Sequence, residues 1–380
     1  MTTFTDNLNR SMADELVVST PGRICLFGEH QDYLHLPVIP AAISLRITFE
    51  ARRRRDSLVH ISLPDVHSSV SFPLEGNLGT LKPGDYFRSA VQVLRKAGFA
   101  FLTGFDCVVR STIPIKAGTS SSSALVVSWV NILAQISEQH STLHPDRIAC
   151  YAHEAEVVAF HQAGGMMDQF STAYGGVLLI DFFPDICVEP LKAELKNFVL
   201  GNSGEPKDTQ EILSRVKSSV LDVVKRLSEK HADFSLRSAT PDSIAKFKRE
   251  LTDDQALLLE GTVQNHEITK EARRLLQTHP LDHQRLGALL TKHQSVLRDV
   301  QRISTPKVDR MLDAALHAGA YGGKINGSGG GGCMFAYAPE HTEQVAEAIE
   351  GAGGKAYAVT VDEGTRNEPG PALNHGITFG

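Results

Sequence analysis

The stretch that most constrains this chain is residues 113–125, IPIKAGTSSSSAL, where a glycine and four consecutive serines run into an apolar segment ending at Trp129. Serines behind a glycine and ahead of an apolar run predict a helix start, with hydroxyls accepting from the orphan amides of the first turn. Open N–H groups and the positive end of the helix dipole then seat an anion. Gly118 lets the backbone come close to that anion, and the hydroxyls can bond it or ligate a metal. The same residues also suit a capped core helix with a serine-rich turn, so the rest of the chain has to decide.

At 380 residues the chain has room for roughly two domains. Its 42% hydrophobic and 22% charged content predict a soluble globular protein, and the net charge of −6 gives no reason to expect nucleic-acid or membrane partners. The basic run at residues 52–55 follows a strand-like segment and reads as a solvated strand end. Five scattered cysteines without CxxC spacing predict reduced thiols in a cytoplasmic protein, not a disulfide frame or zinc site. The first residues, MTTFTDN, carry neither a basic region nor an apolar core, so no secretory signal is expected. No apolar run reaches membrane-spanning length.

Residues 1–15 read as a polar, ragged start or short helix. Residues 16–27 then predict strand, turn, strand, with Pro21-Gly22 as the break. Strands follow over 38–51 and 59–72. A helix over 86–97 and a strand over 105–113 lead into the serine loop; helices over 122–137, 145–162 and 166–172 come next, then a strand over 175–181. Past a strand at 198–200 the pattern turns helical, over 209–229, 241–251, 254–277, 281–304 and 306–318. Strands at 320–326 and 334–337, a helix over 341–351 and a strand over 355–361 precede an irregular tail. The change of pattern puts a boundary near residue 190, dividing the chain into 1–190 and 191–380.

Three other stretches carry chemistry. In GRICLFGEHQDY, residues 22–33, Glu29, His30 and Asp32 crowd hydrogen-bonding groups beside apolar strands. Such a cluster suits a polyhydroxylated ligand; a charged surface turn is the alternative, with Arg23 merely snorkelling. Glu156 precedes Asp168 by twelve positions, and Asp168 lies in GGMMDQ, residues 164–169. An acid among glycines and methionines can be partly desolvated and its proton affinity tuned, although either acid also fits a solvated helix. Finally KINGSGGGGC, residues 324–333, has five glycines in six positions between two strands. It lacks the ending of a Walker A loop and the spacing of a dinucleotide fingerprint, and could be a plain hairpin. Loops that approach anions and acids able to hold Mg²⁺ are the parts needed for phosphoryl transfer.

Together these stretches resemble the GHMP kinases, the superfamily of galactokinase, homoserine kinase, mevalonate kinase and phosphomevalonate kinase, and within it the galactokinase-like sugar kinases above all. Residues 22–33 resemble the galactokinase signature, with Cys25 and Phe27 where Asn and Ile are usual. Residues 114–124 resemble the PxxxGLSSSA phosphate loop, with Thr119 for the Leu. Residues 326–333 resemble the glycine-rich third motif, in a form closer to mevalonate kinase. MDQF at 167–170, and 297–299 with 304–306 and Asp309, lean toward galactokinase.

The resemblance implies an α+β, two-domain GHMP kinase fold, with an N-terminal domain of the ribosomal protein S5 domain 2-like type and a ferredoxin-like C-terminal domain. It implies Asp168 as catalytic base and Arg23 as stabiliser of its charge. Gly118, Ser120, Ser121, Ser122 and Ser123 would wrap the ATP phosphates, with Ser122 and Glu156 on Mg²⁺. Glu29, His30, Asp32 and Gly165 would contact sugar hydroxyls, and Gly327, Gly329, Gly330 and Gly331 form the third motif. The implied activity is ATP-dependent phosphorylation of a monosaccharide, at its anomeric hydroxyl, in carbohydrate metabolism. Two departures keep other readings open: a later YxxRRxxC-like segment is absent, and residues 201–209 resemble mevalonate kinase-like members. A mevalonate-type small-alcohol kinase and a catalytically silent sugar and ATP sensor are the alternatives. Oligomeric state is not legible.

Overall fold

The computed structural model describes residues 15–115, 117–206 and 209–369; the expectation for residues 1–15 falls almost wholly outside them. A first, eight-stranded sheet is built from β1 (Glu15–Phe27), β2 (Ile39–Arg53), β3 (Leu58–Leu63), β4 (Ser68–Pro73), β5 (Phe105–Ser111), β6 (Val177–Asp181), β7 (Cys187–Leu191) and a late strand, Arg366–Glu368. The late strand, β1, β2, β5, β3 and β4 lie side by side in that order, with β6 on β2 and β7 on β6. All pairings are antiparallel save that of β3 with β5. The helices α1 (Tyr86–Lys96), α2 (Ser121–Ile136), α3 (Pro145–Glu156) and α4 (Met167–Tyr174) accompany it. Their apolar faces close a core with Phe49, Val59, Ile61 and Phe105 of the sheet around Trp129, whose indole N–H donates to Phe87 O at 3.0 Å.

A second sheet follows a helical excursion. β8 (Phe198–Asn202) gives way to α5 (Thr209–Lys230), α6 (Pro241–Ala245), α7 (Asp253–Leu276), α8 (His283–Asp299) and α9 (Pro306–His317). β9 (Gly322–Ile325), β10 (Cys333–Tyr337), α10 (Thr342–Gly351) and β11 (Lys355–Val359) complete it; the late strand in the first sheet is β12. The antiparallel order is β11-β8-β10-β9, the fourth strand beside the first and the third between first and second. That is the ferredoxin-like order, enlarged by the helices between β8 and β9. Period-two alternation places its side chains. Phe198, Leu200, Phe335 and Tyr337 point to a core shared with Ile24, Leu26 and Ile39 of the first sheet and with α7 and α8, whereas Val199, Met334 and Ala336 face α9 and α10. The hydrophobic seam between the two sheets is what holds the cleft walls in register.

Several expectations are corrected. Residues 16–27 form one strand, not two: Pro21 lies at a register shift in the β1–β2 pairing, where a residue without an N–H is tolerated. Residues 59–72 form a hairpin, β3 and β4, turned by a short 3-10 segment, Pro64–Val66. The tail after Val361 is ordered through residue 369 and belongs with the first sheet: β12 pairs β1, and Arg46 donates to Asp362 Oδ2 (2.8 Å), Glu363 O (3.0 Å) and Gly364 O (2.8 Å). A second half running unbroken from 191 to the end is therefore not what the chain forms. Among the described residues no helix is long and apolar enough to cross a membrane.

Candidate active site

The loop before α2 is held by its carbonyls. Gly118 O accepts from Arg23 Nη1 (2.5 Å) and Asn326 Nδ2 (2.8 Å), Thr119 O from Arg23 N (3.2 Å), and Ala117 O from Cys333 N (2.7 Å). The glycine-rich turn of the third motif rests against this loop. A side chain at Gly327, whose φ is +78, would put a Cβ 2.9 Å from Gly118 O. Gly329, Gly330 and Gly331 also have positive φ, and Gly330 N donates to Ile303 O at 2.7 Å. Ile303, between the segments 297–299 and 304–306, thus supports the turn, with its own N–H on Leu297 O at 3.1 Å; Ser304 Oγ donates to Asp309 at 2.6 Å.

One expectation fails at the helix start. Ser120 is the N-cap of α2, but in the left-handed conformation (φ 59, ψ 37), and no side chain caps the helix. The Ser120 hydroxyl is buried without a hydrogen-bond partner. Carbonyls tied back, amides uncapped and a hydroxyl uncommitted describe an anion seat better than a self-capped helix.

Asp168 sits in the first turn of α4. Its Oδ1 receives Arg23 Nε at 2.9 Å and Nη2 at 2.7 Å; the arginine side chain is 4% exposed and the carboxylate 31%, so the pair is anchored on one side and open on the other. Burial opposes the Arg23 charge, but Asp168 and Glu29 outweigh it and raise the guanidinium above its ordinary value. Asp32 accepts from Tyr33 N (2.9 Å) and from the Met167 amide at the start of α4. Burial, then the nearby Asp168 charge, pushes its carboxyl up to about 6. Gly165 is required by this contact: a Cβ there would lie 1.9 Å from Asp32 Oδ2.

Glu156, at the end of α3, is 5% exposed. It accepts from Gln169 Nε2 at 2.7 Å and from the Ser122 and Ser123 hydroxyls; burial raises its carboxyl and these donors oppose the rise. Among the described residues no three His, Cys, Asp or Glu side chains gather as a metal cage. The donors here are one carboxylate and a hydroxyl, all hard oxygen, which fits a cation such as Mg²⁺ that takes most of its shell from phosphate and water.

Glu29 and His30 line the cleft but are already committed. Both Glu29 oxygens are engaged, one by Lys324 Nζ at 2.5 Å and the other by Gly327 N–H. The Lys324 ammonium also donates to Cys25 O and Ile325 O, each at 2.8 Å, satisfying its three donors. His30 Nε2 faces Ser328 O (3.1 Å), so that nitrogen carries the proton and Nδ1 accepts from Tyr33 Oη (2.7 Å). Burial lowers His30 to about 4, leaving it neutral at pH 7. A ligand hydroxyl would add to these bonds or displace them, and Asp32 is the more open carboxylate of the loop. Sequence reasoning gave no role to Lys324, Asn326 or Gln169. The signal was there for Lys324, a charge inside an otherwise apolar four-residue strand.

These groups share one cleft of about 1120 Å³, which Leu63, Val66, Tyr86, Val109 and Ile115 also line. The models for the GHMP kinases N terminal domain and the GHMP kinases C terminal match residues 85–176 and 270–356, and that for the galactokinase galactose-binding signature matches residues 2–53. The chain is 30% identical over 339 residues to a galactokinase of Homo sapiens, covering 84% of this chain and 82% of that one. It is 28% identical over 373 residues to a mevalonate kinase of Thermococcus sibiricus, covering 93% and 98%. Among solved structures, a Lactococcus lactis galactokinase complexed with galactose superposes with a TM-score of 0.81 at 21% identity, over 93% of this chain and 95% of that one. The Methanococcus jannaschii mevalonate kinase does so with a TM-score of 0.70 at 21% identity, over 92% and 99%. With motifs, fold and relatives in agreement, the chain belongs to the GHMP kinases, phosphotransferases whose acceptor is an alcohol.

Proposed function

We propose that the protein is an ATP-dependent sugar kinase that transfers the γ-phosphate to a monosaccharide, at the anomeric hydroxyl, with galactose or a sugar sharing its stereochemistry as acceptor. The observation that carries this is the Arg23–Asp168 pair, open on its carboxylate side between an uncapped helix N-terminus and the polar loop that presents Asp32. The match to the galactose-binding signature supports a sugar in that loop.

Phosphoryl transfer to an alcohol needs a proton accepted and charge on the phosphoryl oxygens neutralised, with little covalent help. Asp168 takes the hydroxyl proton, and Arg23 orients that carboxylate through its Nε and Nη2 contacts. Gly118 and residues 120–123 hold the phosphates through backbone amides and hydroxyls, and apolar residues of the cleft take the nucleoside. Ser122 and Glu156 would hold Mg²⁺, which when bound neutralises phosphate charge. Asp32, set by Gly165 and the start of α4, accepts from acceptor hydroxyls; Glu29 and His30 keep the loop in shape and reach the acceptor only by sharing their present partners. Gly327 and Gly329–Gly331 close the turn against the phosphate loop.

A mevalonate-type kinase is the second reading, favoured by the near full-length match to a mevalonate kinase. ADP release from Mg·ATP across a panel of sugars and sugar acids with mevalonate included decides between them. Turnover of one sugar, with the phosphate located at the anomeric carbon by NMR, is the expected result. Turnover of mevalonate alone overturns the sugar reading, and nucleotide and sugar binding without product would make the protein a sensor.

A further inference from the structure

One polar side chain of the cleft has no part in the roles above. Gln169 follows Asp168 in α4, is 2% exposed, and reaches across to the end of α3. Its Nε2 donates to Glu156 Oε2 at 2.7 Å and lies 3.5 Å from Ser123 Oγ. Chemistry fixes the amide's orientation: a carboxylate only accepts, so the nitrogen faces Glu156 and the oxygen points elsewhere. That Oε1 is buried and has no hydrogen-bond partner, at a residue lining the cleft. Buried polar atoms are paired as a rule, so an unpaired oxygen on a cleft side chain whose nitrogen holds the Glu156 carboxylate and lies by the Ser123 hydroxyl points to a ligand that completes the set.

We propose that Gln169 is a positioning residue for the metal–nucleotide end of the cleft, its N–H holding the Glu156 carboxylate toward the divalent cation and its Oε1 adding a hard oxygen on the same wall. This rests on the reading of Glu156 as a metal ligand. Its consequence is mechanical. Consecutive residues of α4 carry the proton acceptor and the tether of the metal carboxylate, so a shift of that helix moves both.

The test is binding, not turnover. Gln169→Met keeps the length of the side chain and removes the donor. Mn²⁺ is titrated into each protein with a non-transferable ATP analogue, free Mn²⁺ being read by electron paramagnetic resonance; analogue affinity is also measured in EDTA. The expected loss is about tenfold or more in Mn²⁺ affinity, the range found when an outer partner of a metal ligand is removed. Metal-free nucleotide affinity stays as in the parent protein. Unchanged Mn²⁺ affinity in folded Gln169→Met overturns the proposal. Glu156→Gln in the same titration separates the two claims. If it weakens Mn²⁺ and Gln169→Met does not, only the positioning role falls; if it too is silent, the metal-ligand reading falls and the positioning role with it. Should Gln169→Met not fold, Gln169→Asn, which keeps the amide one methylene short of Glu156, is decided by the same titration.

Discussion

The two loops that flank the cleft are prepared in opposite ways. In the loop of residues 28–33 the charged and imidazole side chains are committed, Glu29 to Lys324 and Gly327, His30 to Tyr33 and Ser328, Asp32 to Tyr33 and Met167, with Gln31 Nε2 the one buried side-chain atom there without a partner. In the loop of residues 118–123, Ser120 is strained into the left-handed region, its hydroxyl has no partner and the helix behind it is uncapped. The first is a wall whose internal bonds hold its shape without ligand. The second is a receptor whose own groups stay unsatisfied until an anion arrives. A phosphotransferase can use both, since a neutral acceptor offers little energy to organise its site whereas a nucleotide triphosphate brings charge enough to order its own.

The largest effect should come from the group that joins the two regions. Asp168→Asn removes the proposed proton acceptor and one side of the Arg23 pair, and transfer should fall by about 10²–10⁴-fold, the usual worth of a general base. Nucleotide affinity should hardly move. Near-normal turnover would remove Asp168 from the mechanism. Next in size is the wall. Lys324→Met strands Glu29 in a site where the two side chains are 0% and 2% exposed. Losing one partner of a buried pair costs about 3–5 kcal/mol, which denaturant unfolding of the ligand-free protein would read. Pairing it with Glu29→Leu should return part of that loss, because no charge is then left alone. A loss below 1 kcal/mol, on the scale of an exposed pair, would mean the wall is not held this way.

The asymmetry also explains what was legible in the sequence. Helix periodicity placed α1, α7 and α9 within a residue or two, because each buries an apolar face, and α2, buried on nearly every side, was placed as closely by the glycine and serines at its start. The motif loops were legible through glycine, whose positive φ no other residue adopts so freely. Bonds between segments distant in sequence were not. Lys324 reaches Cys25 and Glu29 across some three hundred residues, and the pairing of Arg366–Glu368 with β1 is set by Arg46 and Ser19, not by any pattern in the tail. Strand β7, CVEPL, is half exposed and lacks clean alternation, so it gave no signal. The capping expectation failed for a physical reason: a serine that caps its own helix has fewer bonds left to give an anion.

A smaller effect tests whether Asp32 is the working carboxylate of the wall. It is held up to about 6, so it is mostly ionised at pH 7.5 and mostly protonated at pH 5. Only the ionised form accepts on every lone pair, so apparent acceptor affinity should fall as pH drops through 6, approaching about tenfold per pH unit below it. Asp32→Asn should flatten that limb while weakening binding at pH 7.5. An unaltered break near 6 in the variant would assign the titration to another group.

The smallest effect has opposite signs in two measurements. Ser120→Gly relieves a left-handed residue, about 1–2 kcal/mol, and removes an unpartnered buried hydroxyl, against about 0.5–1 kcal/mol of added backbone entropy in the unfolded chain. Ligand-free protein should therefore gain about 1 kcal/mol in denaturant unfolding. Nucleotide affinity should fall about tenfold, since a hydroxyl bond to a charged phosphate is lost. If the loop is instead an ordinary capped turn, the same change should cost stability and leave nucleotide binding alone. Both signs together can come only from a group kept unsatisfied for the ligand, which is the difference between the two sides of the cleft.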